Sequence, residues 1–287
     1  MLLGALVPAA HVWAGVIRLL VMTMLFFVFL EARPSWAAYR RSHAVLLGAN
    51  LGIGFAGWGL GWIVGGRDVA AAFFAGITPT AIAAPAIVSF LRGRVDYVVA
   101  AFFLTNLVIA ALLPLLLPFV LGRATPHAFA AVAQSVGLVV FTPLVLAWIV
   151  LWLHPAAAGW PARRRNLSFG IWVTAIFLTT ANASDFVRRQ ESTPLGVLAQ
   201  IAGVTLAVCV AGFVLGRWIG GREFPTEASQ SLGQKNTTFT IYLALSYATP
   251  LIALGPTCYV IWHNLWNSWQ LHRASRRLVT ASATEER

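Results

Sequence analysis

Apolar runs, each near the length of a membrane-crossing helix, follow one another from His11 to Gln270 with only short arginine-bearing breaks between them. Crossing the hydrocarbon core of a bilayer takes roughly 20 consecutive apolar residues in a helix. On that length the chain divides into nine runs: 11–30, 43–64, 69–91, 97–121, 128–153, 167–183, 195–218, 225–247 and 250–270. The last two are separated at Ala248-Thr249-Pro250, because proline cannot continue the preceding helix. Of 287 residues, 59% are hydrophobic and 10% charged, against about 25% charged in a soluble domain. No water-soluble core hides so much apolar side chain. The expected fold is an all-α polytopic membrane protein of nine transmembrane helices, a single membrane domain over 1–287.

The net charge of +11 does not indicate nucleic acid, because the arginines stand singly or in small groups between the apolar runs and form no basic face. They read as topology signals. One set of loops and the tail 273–287 carry fourteen: Arg33, Arg40, Arg41, Arg92, Arg94, Arg163, Arg164, Arg165, Arg217, Arg222, Arg273, Arg276, Arg277 and Arg287. The other side carries four: Arg67, Arg123, Arg188 and Arg189. This bias places the N-terminus outside and the tail in the cytoplasm, as expected for a multi-pass protein of a bacterial inner membrane. The short apolar start, 2–10, lacks the basic flank of a cleavable signal. Tryptophans near the run ends (Trp36, Trp152, Trp160, Trp218, Trp266, Trp269) fit interfacial belts. Cys209 and Cys258 lie in apolar runs without a CxxC or histidine neighbour, so neither a metal nor a cofactor is expected.

Two runs are interrupted. The third, AAAFFAGITPTAIAAPAIVSFL, holds Pro79 and Pro85, each of which deletes a backbone donor, so the helix should unwind near Thr78 and Pro79. The eighth has Gly233-Gln234-Lys235-Asn236-Thr237-Thr238 at the middle of a crossing. Open backbone at that depth persists only where protein or a wet cavity supplies partners. The two runs lie five apart and point in opposite directions, as an inverted repeat that has lost its first helix would arrange them. Paired interruptions in two halves point to a transporter site. Thr78, Thr80, Gln234, Asn236, Thr237 and Thr238 flank the breaks and are the cavity candidates. Thr105 and Asn106 are placed to support the crossing, and His263 and Asn264 lie on the ninth run.

The stretches ITPTAIAAPAIVSFLRGRVDYV, GQKNT and YVIWHNLWNSWQ resemble the bile acid:sodium symporter family, in a nine-helix form lacking that family's first helix. The resemblance follows helix spacing over nearly the whole chain. It implies two interrupted helices crossing inside a core domain (about 43–122 and 195–272) beside a panel domain (about 11–31 and 127–184), with substrate bound between them. It also marks a departure. The family's sodium ligands are carboxylates, amides and hydroxyls, and by alignment those positions hold Ala84, Pro85, Val98, Phe102, Ser231 and Lys235. Only Ser231 offers a side-chain oxygen, whereas a hard cation needs several. Asn50 corresponds to a family amide if the alignment is gapped. Sodium is therefore not an expected partner.

Lys235 is the sole lysine, and a charge at mid-bilayer costs roughly 2.5–3.5 kcal/mol on insertion scales. No carboxylate is expected beside it. It is held by carbonyls of the unwound turn, Asn236 and water, or it is carried neutral, or a bound anion pairs with it. In the first case its ammonium stands in for the coupling ion. The expected function is a sodium-independent secondary transporter of an organic anion or amphipathic small molecule, with core moving against panel. The site would comprise Thr78, Pro79, Thr80, Pro85, Gln234, Lys235, Asn236, Thr237, Thr238, His263 and Asn264. The alternative is a non-transporting sensor or partner protein on the same fold. An enzyme is not expected, since the runs hold no acid pair, activated nucleophile or metal cluster.

Overall fold

A computed structural model describes residues 2–31, 35–66, 71–189 and 195–285. Arg33, Arg67 and Arg287, three of the topology arginines, lie outside the described residues, as do the first two residues of the third predicted run. Among the described residues the chain is helical and no strand is formed, the one extended pairing being a single bridge.

A short helix α1 (Leu2–Leu6) and a 3-10 stretch, Pro8–Val16, lead into α2 (Ile17–Glu31). Then follow α3 (Arg41–Gly65), α4 (Ala71–Ile77), α5 (Ala84–Phe90), α6 (Val95–Val120) and α7 (Pro126–Val136). A π-helical turn, Gly137–Phe141, joins α7 to α8 (Thr142–Leu153). This turn was not foreseen in the fifth run; Pro143, just beyond it, has no amide hydrogen to continue the regular ladder. The chain continues through α9 (Trp160–Arg163), α10 (Arg165–Arg189), α11 (Leu195–Gly220), α12 (Pro225–Gly233), α13 (Thr237–Tyr247) and α14 (Pro250–Glu285).

Among the described residues, four helices are long and apolar enough to cross a membrane: Arg41–Gly65, Val95–Val120, Pro126–Leu153 and Leu195–Gly220. The fold is thus all-α and of membrane type. The third and eighth runs fall short for a physical reason, since each is two half-helices, α4 with α5 and α12 with α13. The ninth run does not stop at residue 270: its helix runs on into the tail, to Glu285.

Helices α3, α4, α11, α12 and α14 pack together, while α2 packs on α8 and α10. Close approach of α3 to α4 depends on paired glycines. A Cβ on Gly76 would lie 2.9 Å from the Gly54 Cα, and small residues at such a contact let two backbones meet. At the far end of α5 the chain turns through Arg92, at φ 58°, with Gly93 N–H bonded to Val88 O at 2.9 Å and Arg92 N–H to Ser89 O at 3.0 Å. This closes α5 with a Schellman motif in which arginine takes the usual glycine position.

Candidate functional site

The two breaks meet. Between α4 and α5 the chain is open over 78–83, and between α12 and α13 over 234–236. These open segments run antiparallel, with Thr80 opposite Lys235. Ala81 N–H donates to Gln234 O at 2.8 Å and Asn236 N–H to Pro79 O at 2.9 Å. Proline and the polar turn each free backbone groups in the interior, and the two interruptions satisfy one another there.

One face of this crossing is closed by hydrogen bonds. Thr80 Oγ1 donates to Ser231 O at 2.6 Å, and the Thr80 N–H donates to Thr105 Oγ1 at 3.1 Å. Asn106 Nδ2 donates to Thr80 O at 3.0 Å and to Phe102 O at 2.9 Å. The hydroxyls of Thr78 and Thr240 are 2.7 Å apart. Thr105 and Asn106 on α6 therefore support the crossing, as their mid-helix polarity suggested.

Lys235 is 1% exposed. Its Nζ donates to Asn50 Oδ1 and, at 3.1 Å, to Gly76 O. The Asn50 amide nitrogen in turn donates to Ile77 O at 3.0 Å. The last carbonyls of α4, orphaned by the break at Pro79, are thus capped by the Asn50 amide and the Lys235 amino group. This corrects the expected partners: the lysine is held from α3 and α4, not by its own turn or by Asn236. Asn50 and Gly76 had no sequence signal strong enough to name them as its partners, because a contact across 185 or 159 positions leaves no local pattern.

The other face opens into a cavity of about 370 Å³. Its core-side wall is Ala81, Ile82, Ala83 and Ile87, the turn Gln234-Lys235-Asn236-Thr237-Thr238, and His263 and Asn264 of α14. The opposite wall comes from α2 (Met24, Phe27, Val28, Glu31), α9 (Pro161, Ala162) and α10 (Ser168, Phe169, Trp172). Gln234 Oε1, Asn236 Nδ2 and His263 Nδ1 are buried and have no hydrogen-bond partner among the described residues. The α13 helix begins at Thr237, so its positive end faces the same space. An apolar chamber with a few convergent, unsatisfied polar groups is the usual form of a small-molecule site.

Of the eleven site residues expected from sequence, Gln234, Lys235, Asn236, Thr237, Thr238, His263 and Asn264 line this cavity. Thr78, Pro79, Thr80 and Pro85 do not. The threonine hydroxyls are consumed in the crossing, Pro79 contributes its carbonyl there, and Pro85 sits in the first turn of α5. The aromatic wall residues Phe27, Phe169 and Trp172 escaped notice because an aromatic in a membrane run looks the same whether it faces lipid or a cavity.

Glu227 was also missed as a structural residue. It is buried on α12, and its Oε1 accepts from Arg94 N–H at 2.7 Å, tying the α5–α6 turn to the second interrupted helix. Its place as the one carboxylate of the eighth run was the available signal. No cluster of histidine, cysteine or acidic residues able to hold a metal occurs among the described residues. No protein-family model matches this chain, and neither does any curated protein sequence.

Proposed function

We propose that this chain is a secondary transporter with the core-and-panel plan of the bile acid:sodium symporters, and that it carries an amphipathic organic solute, an organic anion first among the candidates. The observation that carries this reading is the cavity itself. It separates the crossing of two interrupted helices from α2, α9 and α10, and it presents an apolar wall opposite three unsatisfied polar groups. An acid group at the α13 N-terminus would meet the helix dipole and the amide of Asn236, with its apolar body against Phe27, Phe169 and Trp172.

In this reading the protein has nine spans in two inverted halves, with the N-terminus outside and the tail in the cytoplasm of a bacterial inner membrane. The cavity, bordered by Glu31 and α9, then opens inward. Lys235 fills the place of a coupling cation with a fixed one, so transport proceeds without sodium. A permanently filled cation position equally suits a sensor that binds solute without moving it, and this is the second reading.

The experiment is uptake into proteoliposomes of radiolabelled amphipathic carboxylates and sulfonates, with and without a sodium gradient, alongside binding measured by thermal shift. Uptake that is equal in sodium and potassium supports the carrier. Binding without uptake supports the sensor, and neither binding nor uptake refutes the site.

A further inference from the structure

Seven buried side-chain polar atoms lack a hydrogen-bond partner among the described residues, and six of them lie on α12, the turn that follows it and α14. They are Gln230 Oε1, Gln234 Oε1 and Asn236 Nδ2 on α12 and the turn that follows it, and His263 Nδ1, Trp266 Nε1 and Asn267 Nδ2 on α14; the seventh, Trp58 Nε1, is on α3. In native proteins nearly all such groups are satisfied by protein or by ordered water; Gln234, Asn236 and His263 line the cavity, whereas Gln230, Trp266 and Asn267 do not and require another explanation.

The geometry supplies one. Tyr259, His263, Asn267 and Gln270 follow at i, i+4, i+8 and i+11 and so share one face of α14. At 1.5 Å per residue they span about 16 Å of helix. This face is joined to α12 by side chains rather than by close backbone packing. Tyr259 OH donates to Gly233 O at 2.7 Å, and Gln230 Nε2 donates to Asn267 Oδ1 at 3.1 Å and Gln270 Oε1 at 2.6 Å. Gln230 is 0% exposed and Asn267 4%, yet each amide keeps one atom unpaired. An apolar seam would have dispensed with these amides, since leaving a buried polar group unpaired is destabilising.

We propose that the α12–α14 seam is a binding site for a file of ordered water, entering beside Gln270 and running past Asn267, Gln230 and Trp266 to His263. It reaches the crossing from behind, through the core, and not by way of the cavity. A buried water requires two or more polar partners, and Gln230 Oε1, Asn267 Nδ2 and Trp266 Nε1 are the unpaired atoms the seam offers. The file keeps the crossing hydrated whether or not the cavity is occupied. The inference rests on the same crossing as the transport reading, but its test needs no solute.

The test is hydroxyl-radical footprinting by X-ray radiolysis of the purified protein, which modifies side chains next to bound water. Two internal controls exist. His43 is buried like His263, but its Nε2 is bonded to Tyr97 O at 3.0 Å and its Nδ1 to Arg40 N at 2.9 Å. Trp262 is half-buried on the same helix as Trp266, but its Nε1 donates to Ala202 O at 3.1 Å. The expected result is severalfold faster modification of His263 than of His43 and of Trp266 than of Trp262. The double variant Gln230→Leu, Asn267→Leu should abolish the excess at Trp266. If Trp266 is modified no faster than Trp262, or if the double variant leaves its rate unchanged, the seam is dry and the proposal is overturned. Fast modification of His263 alone means water from the cavity and overturns it as well. Failed uptake of every solute would leave this result standing, so the two readings fail separately.

Discussion

The two faces of the crossing are built from the same short stretches of chain and treated in opposite ways. Toward α3, α4 and α6, Lys235, Asn50, Thr78, Thr80, Thr105 and Asn106 all find partners inside the protein. Toward α2 and α10, Gln234, Asn236 and His263 are nearly as buried, yet each has a polar atom unpaired. A closed network of this kind fixes a geometry, because each bond depends on the others being in place. An open one stores unspent hydrogen-bonding capacity for something that comes and goes. The contrast separates structure from site more sharply than residue type does, since amides and hydroxyls occur on both faces.

The comparison breaks if substitutions on the two faces have similar effects on stability. The largest loss is expected at Lys235. Lys235→Met strips the ammonium from Asn50 Oδ1 and Gly76 O, leaving buried acceptors and the end of α4 uncapped. Removing a charged donor from such a place should cost about 3 kcal/mol, read as a fall in melting temperature of the purified protein. A variant that melts with the parent would make Lys235 a bystander and remove the fixed-cation argument. Asn106→Leu should come next, at roughly 2 kcal/mol, because one side chain holds both Thr80 O and Phe102 O.

The open face should respond differently. Gln234→Leu removes an amide whose oxygen has no partner, so stability should stay within about 0.5 kcal/mol of the parent or rise slightly. The same substitution should abolish the stabilisation given by whichever amphipathic carboxylate or sulfonate binds the parent. A Gln234→Leu protein that is both markedly unstable and still stabilised by that solute would invert the assignment of the faces.

How far the sequence led can be judged at these same residues. The breaks at 78–83 and 234–236 were legible because proline and a polar turn act on their own neighbours, whatever the rest of the chain does. That the breaks meet could be expected only from resemblance, and which face each side chain takes could not be read at all. Thr78 and Gln234 flank their breaks alike, yet one is spent on Thr240 and the other lines the cavity. The choice is made by rotation of short half-helices and by partners more than a hundred positions away. The same limit hid Gly76 as an acceptor: the glycine is there because α3 passes against it, and its carbonyl then becomes available to the lysine. The extension of α14 past residue 270 was missed for another reason, since hydropathy reports where lipid ends and carries no information on where a helix ends.

The smallest expected effect is that of sodium. The positions that resemblance assigns to the ion include Ala84, Val98 and Phe102, which have no side-chain oxygen, and Pro85, which has none either. Ser231 has one, but its hydroxyl is turned to its own helix, donating to Glu227 O at 2.8 Å. Asn50, the remaining amide, accepts from Lys235 with its oxygen and donates to Ile77 O with its nitrogen. A hard cation that needs about six oxygens would find few of them free. It would also meet the ammonium: two unit charges about 4 Å apart repel by roughly 4 kcal/mol at an effective dielectric of 20. Replacing potassium by sodium at equal ionic strength should therefore leave the melting temperature unchanged, and a reproducible sodium-specific rise would show that oxygens are gathered elsewhere. Lys235→Gln sharpens the question, since it removes the repulsion and returns one amide oxygen. A sodium response in that variant alone would assign the loss of sodium binding to the lysine; its absence in both would assign it to Ala84, Pro85, Val98 and Phe102, where no single substitution restores what a cation needs.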